Sequence, residues 1–178
     1  NGRTRLVALA HVSNTLGCLN PIAEVVSLAH AVGARVLVDA CQSLPHLPVD
    51  VKQLECDWLV GSSHKLCGPT GMGFLWGRRE LLEQAPPFLG GGEMIDEVFL
   101  ERSTWAALPH KFEAGTPAIG EAIGMAAAID YIQALGLAAI HRWEQRLTAR
   151  LWEGLSRIDG VRLLGPSPEQ QPDRGALA

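Results

Sequence analysis

The sequence predicts an α/β protein with a mainly parallel sheet, and two observations lead to this prediction. Short, almost continuous apolar runs alternate with a helical pattern over residues 5–40, which is the order of a βαβ unit. Polar stretches follow three predicted strands, at 11–14, 39–42 and 62–65. Ligands bind beyond the carboxyl ends of the strands in open α/β sheets, so we expect these stretches to meet at one edge.

The first βαβ unit consists of two apolar strands and the helix between them. The runs RLVALAHV (5–12) and ARVLVDA (34–40) are as apolar as parallel strands that are covered on both faces. The intervening helix is predicted over 22–32, with Asn20 as its N-cap and Pro21 in its first turn. The crossover between the strands is therefore expected to be right-handed.

The rest of the chain continues the alternation and ends in helices. Residues 88–116 show no regular pattern, and an irregular stretch of this length is typical of a functional or interfacial segment. The other predicted elements are a short helix over 50–56, strands over 57–63 and 72–77, a short helix over 79–85, helices over 118–135 and 137–158, and the start of a strand at 160–165.

Composition limits the classes of partner. The formal net charge of −4 gives no electrostatic basis for binding nucleic acid or an anionic membrane. No apolar run approaches the roughly 20 residues that span a bilayer. The 4 cysteines form no CxxC pair, which favours a reducing compartment and predicts a cytoplasmic protein. The start at Asn1 and the polar end after 165 suggest an internal piece of a longer protein.

Five stretches, in order, resemble the signature stretches of class V aminotransferase-fold enzymes: HVSNTLGCLNP, LVDACQSLPHLPVDV, SSHKLCGPTGMGFLWG, GGGEMI and FEAGTP. The chain is most similar to group II (SufS-type) cysteine desulfurases, of which selenocysteine lyases are near relatives. The resemblance implies the type I fold of pyridoxal 5′-phosphate (PLP) transferases, aspartate aminotransferase-like. Residues 1–135 would be the C-terminal part of the large domain, and 136–178 a linker helix and the start of the small domain.

The resemblance implies that Lys65 holds PLP as a Schiff base and acts in catalysis. Such a lysine must be partly neutral at working pH, which desolvation and nearby cationic groups can achieve. Asp39 would pair with the pyridine nitrogen and keep it protonated, so that the ring accepts electrons from the substrate Cα. Taken alone, Lys65 could be a strand-end lysine in solvent, and Asp39 could open a turn.

The resemblance implies further contacts to the cofactor. Gln42 would donate to its phenolic oxygen, and Ser62 and His64 would contact its phosphate. Asn14 would lie near the phenolic oxygen and the substrate carboxylate. His11 is better interpreted as a hydrogen-bonded core histidine. The glycines of GPTGMG would let the backbone pass close to the cofactor.

The expectation of a homodimer rests on Thr116. In the resembled family this turn reaches across a two-fold interface to the phosphate of the neighbouring subunit, so the site would exist only in the dimer. The ordinary interpretation is that Thr116 caps a helix that has Pro117 in its first turn. Both roles are compatible.

The implied reaction converts L-cysteine to L-alanine and passes the sulfur to an enzyme cysteine, for Fe–S cluster assembly or another sulfur-donor pathway with an acceptor protein. The sulfur-accepting cysteine and the carboxylate-binding arginine of the family would lie beyond Ala178, so this chain alone is expected to be inactive. Cys41, where the family has a small residue, is interpreted as a buried spectator.

Other functions stay open at this stage. Within the enzymes, the alternatives are a selenocysteine lyase, a kynureninase-like hydrolase or another class V PLP enzyme. Outside them, the chain could be a non-catalytic fragment. It could also be a Cys/His metal-binding module, although its spacing matches no known zinc motif. The ligands of such a module would come from Cys18, Cys41, His46, Cys56, His64 and Cys67.

Overall fold

The computed structural model describes residues 1–176, which form six strands and five helices of the α type. In chain order they are β1 (Leu6–Ala10), α1 (Ile22–His30), β2 (Arg35–Asp39), α2 (Val51–Leu54), β3 (Trp58–Ser62), β4 (Gly73–Gly77), α3 (Arg79–Gln84), β5 (Ile95–Val98), β6 (Ser103–Trp105), α4 (Ile119–Leu135) and α5 (Leu137–Ser156).

The predicted mainly parallel sheet is confirmed. Its four strands have the order β1-β2-β3-β4, and the first three run parallel. β4 pairs with β3 in the antiparallel direction, because only the short turn at 63–72 connects them. In the register of the parallel strands Ala10 lies beside Asp39, and Asp39 lies beside Val60. The strands β1 and β2 therefore end level with each other, and β3 continues beyond them to Ser62.

The main core lies between α1 and the sheet. Ile22, Val26 and Ala29 recur at helical spacing and are buried against the fully buried Val36 and Val38 of β2. Burial of a valine or isoleucine side chain contributes about 1.5–3 kcal/mol relative to an exposed one. This packing fixes β2, the strand that ends at Asp39.

The start of α1 differs from the prediction. Pro21 is the N-cap residue, and no side chain caps the helix. The Asn20 side chain instead donates from Nδ2 to the carbonyl oxygen of Ala10, at 2.8 Å. The amide thus satisfies the last carbonyl group of β1 and joins the following loop to the sheet edge.

Two predictions about irregular and extended segments were wrong. Residues 88–116 contain the antiparallel hairpin of β5 and β6, whose strands are too short and polar to show a sequence period. The predicted strand at 160–165 does not form, since no strand of the described residues lies beside it. In both segments, backbone pairing rather than local apolar content determines whether a strand forms.

Helices α4 and α5 meet at Gly136, as predicted, and enclose an angle of 74°. Gly136 has φ 82°, a backbone conformation that glycine adopts without strain. No single helix within residues 1–176 is long and apolar enough to cross a membrane, although the two bent helices taken together pass on length and composition.

Candidate active site

The three polar stretches meet where the parallel strands end, as predicted. This end of the sheet is here named the carboxyl edge. The backbone N–H of His11 donates to the carbonyl oxygen of Asp39 at 2.8 Å, and that of Ala40 donates to Val60 at 3.0 Å. These bonds extend the parallel ladder by one residue beyond β1 and β2. The segments that follow β1 and β2 therefore begin side by side, next to the last residues of β3.

Lys65 lies in a 3₁₀ turn, Ser63–Leu66, that follows β3 directly. The turn ends at Cys67 in the left-handed conformation, with φ 60°, and Gly68 donates its backbone N–H to the Ser63 carbonyl at 3.0 Å. The Lys65 side chain is half-buried. The backbone that carries it is thus held in one geometry on both sides.

Helix α4 anchors this turn from below, which the sequence analysis missed. Leu66 is buried against Met125 and Ile132 of α4 in a second apolar cluster. The signal was the series of small residues in α4, since these allow close approach. The helix therefore positions Lys65 through its neighbour in the chain.

The glycines beside the lysine mainly let the chain approach itself. A Cβ on Gly68 would lie 2.3 Å from Ser63 Oγ, and a Cβ on Gly73 would lie 2.8 Å from the Gly61 carbonyl oxygen. Ser63 is fully buried, and its Oγ has no hydrogen-bond partner within residues 1–176. At these two glycines the backbone packs against protein atoms, and its predicted approach to the cofactor stays a prediction.

Asp39 and Cys41 form a local turn at the end of β2. Asp39 Oδ1 accepts a hydrogen bond from the Cys41 backbone N–H at 2.9 Å, and the Asp39 side chain is exposed. Burial, followed by the hydrogen bond and the charge of Asp39, raises the pKa of the Cys41 thiol to about 11, against an opposing effect of Lys65. Cys41 therefore lies within electrostatic reach of both residues and stays protonated at neutral pH.

The other predicted residues of this edge lie on the same three segments. Ser62 Oγ and His64 Nδ1 form a hydrogen bond of 2.8 Å, which orients the hydroxyl and the imidazole together. Gln42 is half-buried next to Cys41, and Asn14 is exposed in the turn after β1. The edge thus offers hydroxyl, imidazole and amide groups beside the amine and the carboxylate.

Thr116 is placed differently. It is exposed, in a depression that Glu93, His110 and Glu113 also line, and no hydrogen bond or ion pair within residues 1–176 joins it to the sheet edge. The N-cap of α4 is Ala118, with no side-chain cap, so the interpretation of Thr116 as N-cap was wrong. Its role toward a neighbouring subunit stays a prediction.

His11 is a buried histidine, as predicted, but it is not fully hydrogen-bonded. Its side chain is 9% exposed, and its Nδ1 has no partner within residues 1–176. Burial lowers the pKa of His11, because the charged form would lose its hydration. The imidazole is therefore neutral at pH 7.

The opposite edge of the sheet holds a buried carboxylate that the sequence analysis did not single out. Asp57 is fully buried and accepts hydrogen bonds from His30 Nε2 at 2.8 Å, the Val36 backbone N–H at 2.8 Å and the Arg35 guanidinium at 3.2 Å. Burial raises the pKa of Asp57, but these three partners outweigh it and hold the pKa below its ordinary value. This group stabilises the fold.

The described residues contain no group of three or more His, Cys, Asp or Glu side chains that could hold a metal ion. The Cys/His metal module therefore has no support in residues 1–176. The groups at the carboxyl edge instead match those of PLP: an amine for its aldehyde, a carboxylate for its ring nitrogen, and a hydroxyl and an imidazole for its phosphate. The residues present fit the cofactor.

Comparisons with known proteins find relatives of this chain. A probable cysteine desulfurase of Synechocystis is 59% identical over 176 residues, which are 99% of this chain and 42% of that protein. The apo structure of a cysteine desulfurase from Thermococcus onnurineus superposes with a TM-score of 0.90, at 42% identity, over 97% of this chain and 42% of that one. A C-DES mutant with glycine covalently linked to its PLP cofactor has a TM-score of 0.84, at 30% identity, over 96% of this chain and 46% of that one.

The chain spans about two fifths of the length of the curated relatives that it matches. The model of the family "Aminotransferase class-V" matches residues 1–176, which include every strand end described above. The chain therefore belongs to the class-V aminotransferase family and has the type I fold of PLP-dependent enzymes.

Proposed function

We propose that the full-length protein containing this chain is a PLP-dependent cysteine desulfurase, which converts L-cysteine to L-alanine and transfers the sulfur to an enzyme cysteine outside this chain. The observation that carries the proposal is the half-buried Lys65 on a fixed turn, at the same sheet edge as the Asp39 carboxylate. The names of the relatives above support the choice of substrate.

Lys65 would do the proton chemistry. Bound PLP supplies an electron sink for the electrons left on the substrate Cα. The Lys65 amine would hold the cofactor through its aldehyde. With substrate bound, the same amine would remove the proton from the substrate Cα and return one at the end of the reaction.

The surrounding residues would bind and orient. Asp39 holds a proton on the cofactor ring nitrogen, and Gln42 donates to its phenolic oxygen. The hydrogen-bonded pair of Ser62 and His64 binds the phosphate. Asn14 orients the substrate carboxylate together with an arginine from outside the chain. Cys41 has no part in sulfur transfer in this proposal, because the sulfur-accepting cysteine lies outside this chain.

The finer assignments belong to the same proposal. The protein is of the group II, SufS type, is cytoplasmic and works as a homodimer in which Thr116 reaches the phosphate of the other subunit. Residues 1–135 end the large domain, and 136–178 form the linker helix and start the small domain. A sulfur-acceptor protein receives the product sulfur, and the chain by itself is inactive.

Borohydride mapping tests the placement of the site. Reduction of the yellow full-length protein should fix PLP covalently to the peptide that contains Lys65, as mass spectrometry would show. Lys65→Arg should form no adduct and have almost no turnover, since a guanidinium stays protonated. An adduct on Lys52 or Lys111 would show that the site is elsewhere.

Substrate assays test the reaction separately. The full-length protein should release alanine and sulfide from L-cysteine in the presence of a reductant. Selenocysteine as the only productive substrate would favour a lyase, and kynurenine a hydrolase. An active species of monomer mass in light scattering would refute the homodimer.

A further inference from the structure

The segment 166–175, here named the strap, lies between α5 and the loop that carries Asn14. On the α5 side, Gln145 donates from Nε2 to the Pro172 carbonyl oxygen at 2.9 Å. The Arg174 guanidinium lies over the Trp152 ring, 4.9 Å from its centroid. The strap is thus attached to α5, a helix of 20 residues.

The other side of the strap is hydrogen-bonded to residues 16–19. These residues, together with residues 12–15, form the segment here named the Asn14 loop. The Gln171 side chain accepts from the Leu19 backbone N–H at 2.8 Å and donates to the Leu19 carbonyl oxygen at 2.9 Å. The Gly175 N–H donates to the Gly17 carbonyl oxygen at 2.7 Å. Arg174 also donates from Nη2 to the Leu16 carbonyl oxygen.

These contacts join positions that are far apart in sequence. Gln171 and Leu19 are separated by 152 residues, and the one amide satisfies both backbone groups of Leu19, as a neighbouring strand would. Arg174 is only 3% exposed and also donates to the Pro166 carbonyl oxygen at 2.7 Å. A buried guanidinium is costly without such partners, so this arrangement is built and not incidental.

The Asn14 loop is closed at its base by an antiparallel bridge between Val12 and Leu19 and holds further bonds of its own. Inside it, Ser13 Oγ accepts from the Leu16 N–H at 3.1 Å, and the Ser13 N–H donates to the Cys18 carbonyl oxygen at 2.9 Å. These bonds fix the internal shape of the turn, with Asn14 at its exposed tip. The strap fixes where the turn stands relative to α5.

We propose that Gln171 and Arg174 are positioning residues, which hold the Asn14 loop at the sheet edge so that Asn14 meets the substrate carboxylate. The proposal rests on the proposed function, because that gives Asn14 its role. The strap lies at the predicted start of the small domain, so it makes substrate binding at one domain depend on a segment that leads into the other.

The attachment of the Asn14 loop to the strap through Gln171 and Arg174 is here named the clamp. Hydrogen exchange in the full-length holoenzyme tests the clamp without any turnover. Gln171→Ala should make the Leu19 amide exchange about tenfold faster, because the Oε1 atom that accepts its hydrogen bond is lost. Gln171→Glu is a second variant of nearly the same shape, which keeps the acceptor and loses the donor; it should speed exchange less. Gln170→Ala is the matched control, since the Gln170 side chain accepts from the Ser167 N–H, which lies within the strap itself.

A double-mutant cycle tests whether the clamp acts through Asn14. Gln171→Ala should raise the KM for cysteine about tenfold with little change in kcat or in the absorbance of bound PLP. In the Asn14→Ala background the same change should have no further effect on KM. Arg174→Ala should likewise raise the KM. Arg174→Lys should raise it much less, because the ammonium can reach one carbonyl oxygen.

The exchange experiment and the double-mutant cycle test separate parts of the proposal. Unchanged exchange at Leu19 in both Gln171 variants would refute the clamp. Faster exchange with an unchanged KM, or additive effects in the cycle, would refute positioning through Asn14. If the full-length protein does not act on cysteine at all, the proposed function fails and positioning of its substrate fails with it, while the exchange experiment still decides the clamp.

Discussion

Gly68→Ala should impair the enzyme through a steric clash beside Lys65. The new Cβ would lie 2.3 Å from Ser63 Oγ and 3.1 Å from the Ser63 carbonyl oxygen, whereas ordinary contacts begin near 3.4 Å. Ser63 opens the 3₁₀ turn that carries Lys65, so relief of this clash should displace the backbone that positions the amine. Overpacking of this kind costs about 1–3 kcal/mol in stability. A displacement of 1 Å at a catalytic group can cost about 10²-fold in rate.

The assay is kcat/KM of the full-length protein together with its midpoint of thermal unfolding. We expect kcat/KM to fall by about 10- to 100-fold while PLP remains bound. Adding Ser63→Ala removes the closest clashing atom, which has no hydrogen-bond partner in the described residues, and should restore part of the activity. Gly120→Ala is the control, because nothing lies within 4 Å of its Cβ position. A Gly68→Ala protein with normal activity, or a double variant no better than the single one, would refute the reasoning.

Three further outcomes follow from the charges. Asp39→Asn should keep PLP bound but lose most turnover, as absorbance and rate assays would show, since an amide does not hold the ring nitrogen protonated. Asp57→Ala should destabilise the protein by about 3–5 kcal/mol at pH 7 in urea unfolding, against about 1 kcal/mol for the exposed cap variant Asp50→Ala. Because the folded pKa of Asp57 is lowered, its contribution is present above about pH 4 and should disappear as the pH falls below that value. Alkylation of Cys41 in the apoprotein, followed by mass spectrometry, should accelerate about tenfold per pH unit up to its pKa of about 11, and Asp39→Asn should make it faster at pH 8; equal rates at pH 7 and pH 9 would contradict this.

The sequence predicted the sheet edge correctly because its signals are local. An apolar run that ends in a polar residue places that residue at a strand end, whatever the rest of the chain does. Asp39 and the turn around Lys65 follow from this rule and from the parallel register of the strands. The motif resemblance then gave these residues roles that the geometry accommodates.

The features that the sequence did not predict depend on distant contacts. The hairpin of β5 and β6 exists through its pairing, and the segment 160–165 lacks a neighbouring strand in the described residues. The Asn20 side chain could cap a helix or bond the end of β1, and only the folded loop selects the second. The bond between Gln171 and Leu19 has no local signal at all.

The two ends of the sheet carry carboxylates with different roles, Asp57 in stability and Asp39 in the proposed reaction. At the amino edge, Asp57 is fully buried and its two oxygens are shared by an imidazole, a guanidinium and a backbone N–H, so its charge is compensated inside the protein. At the carboxyl edge, the Asp39 carboxylate is exposed and accepts a hydrogen bond from the Cys41 backbone N–H, two residues further along the chain. Carboxylates of the same kind therefore differ in what they can still bind: Asp57 is committed to the fold, while Asp39 can pair with a ligand cation. This difference explains why loss of Asp57 should appear in unfolding and loss of Asp39 in turnover.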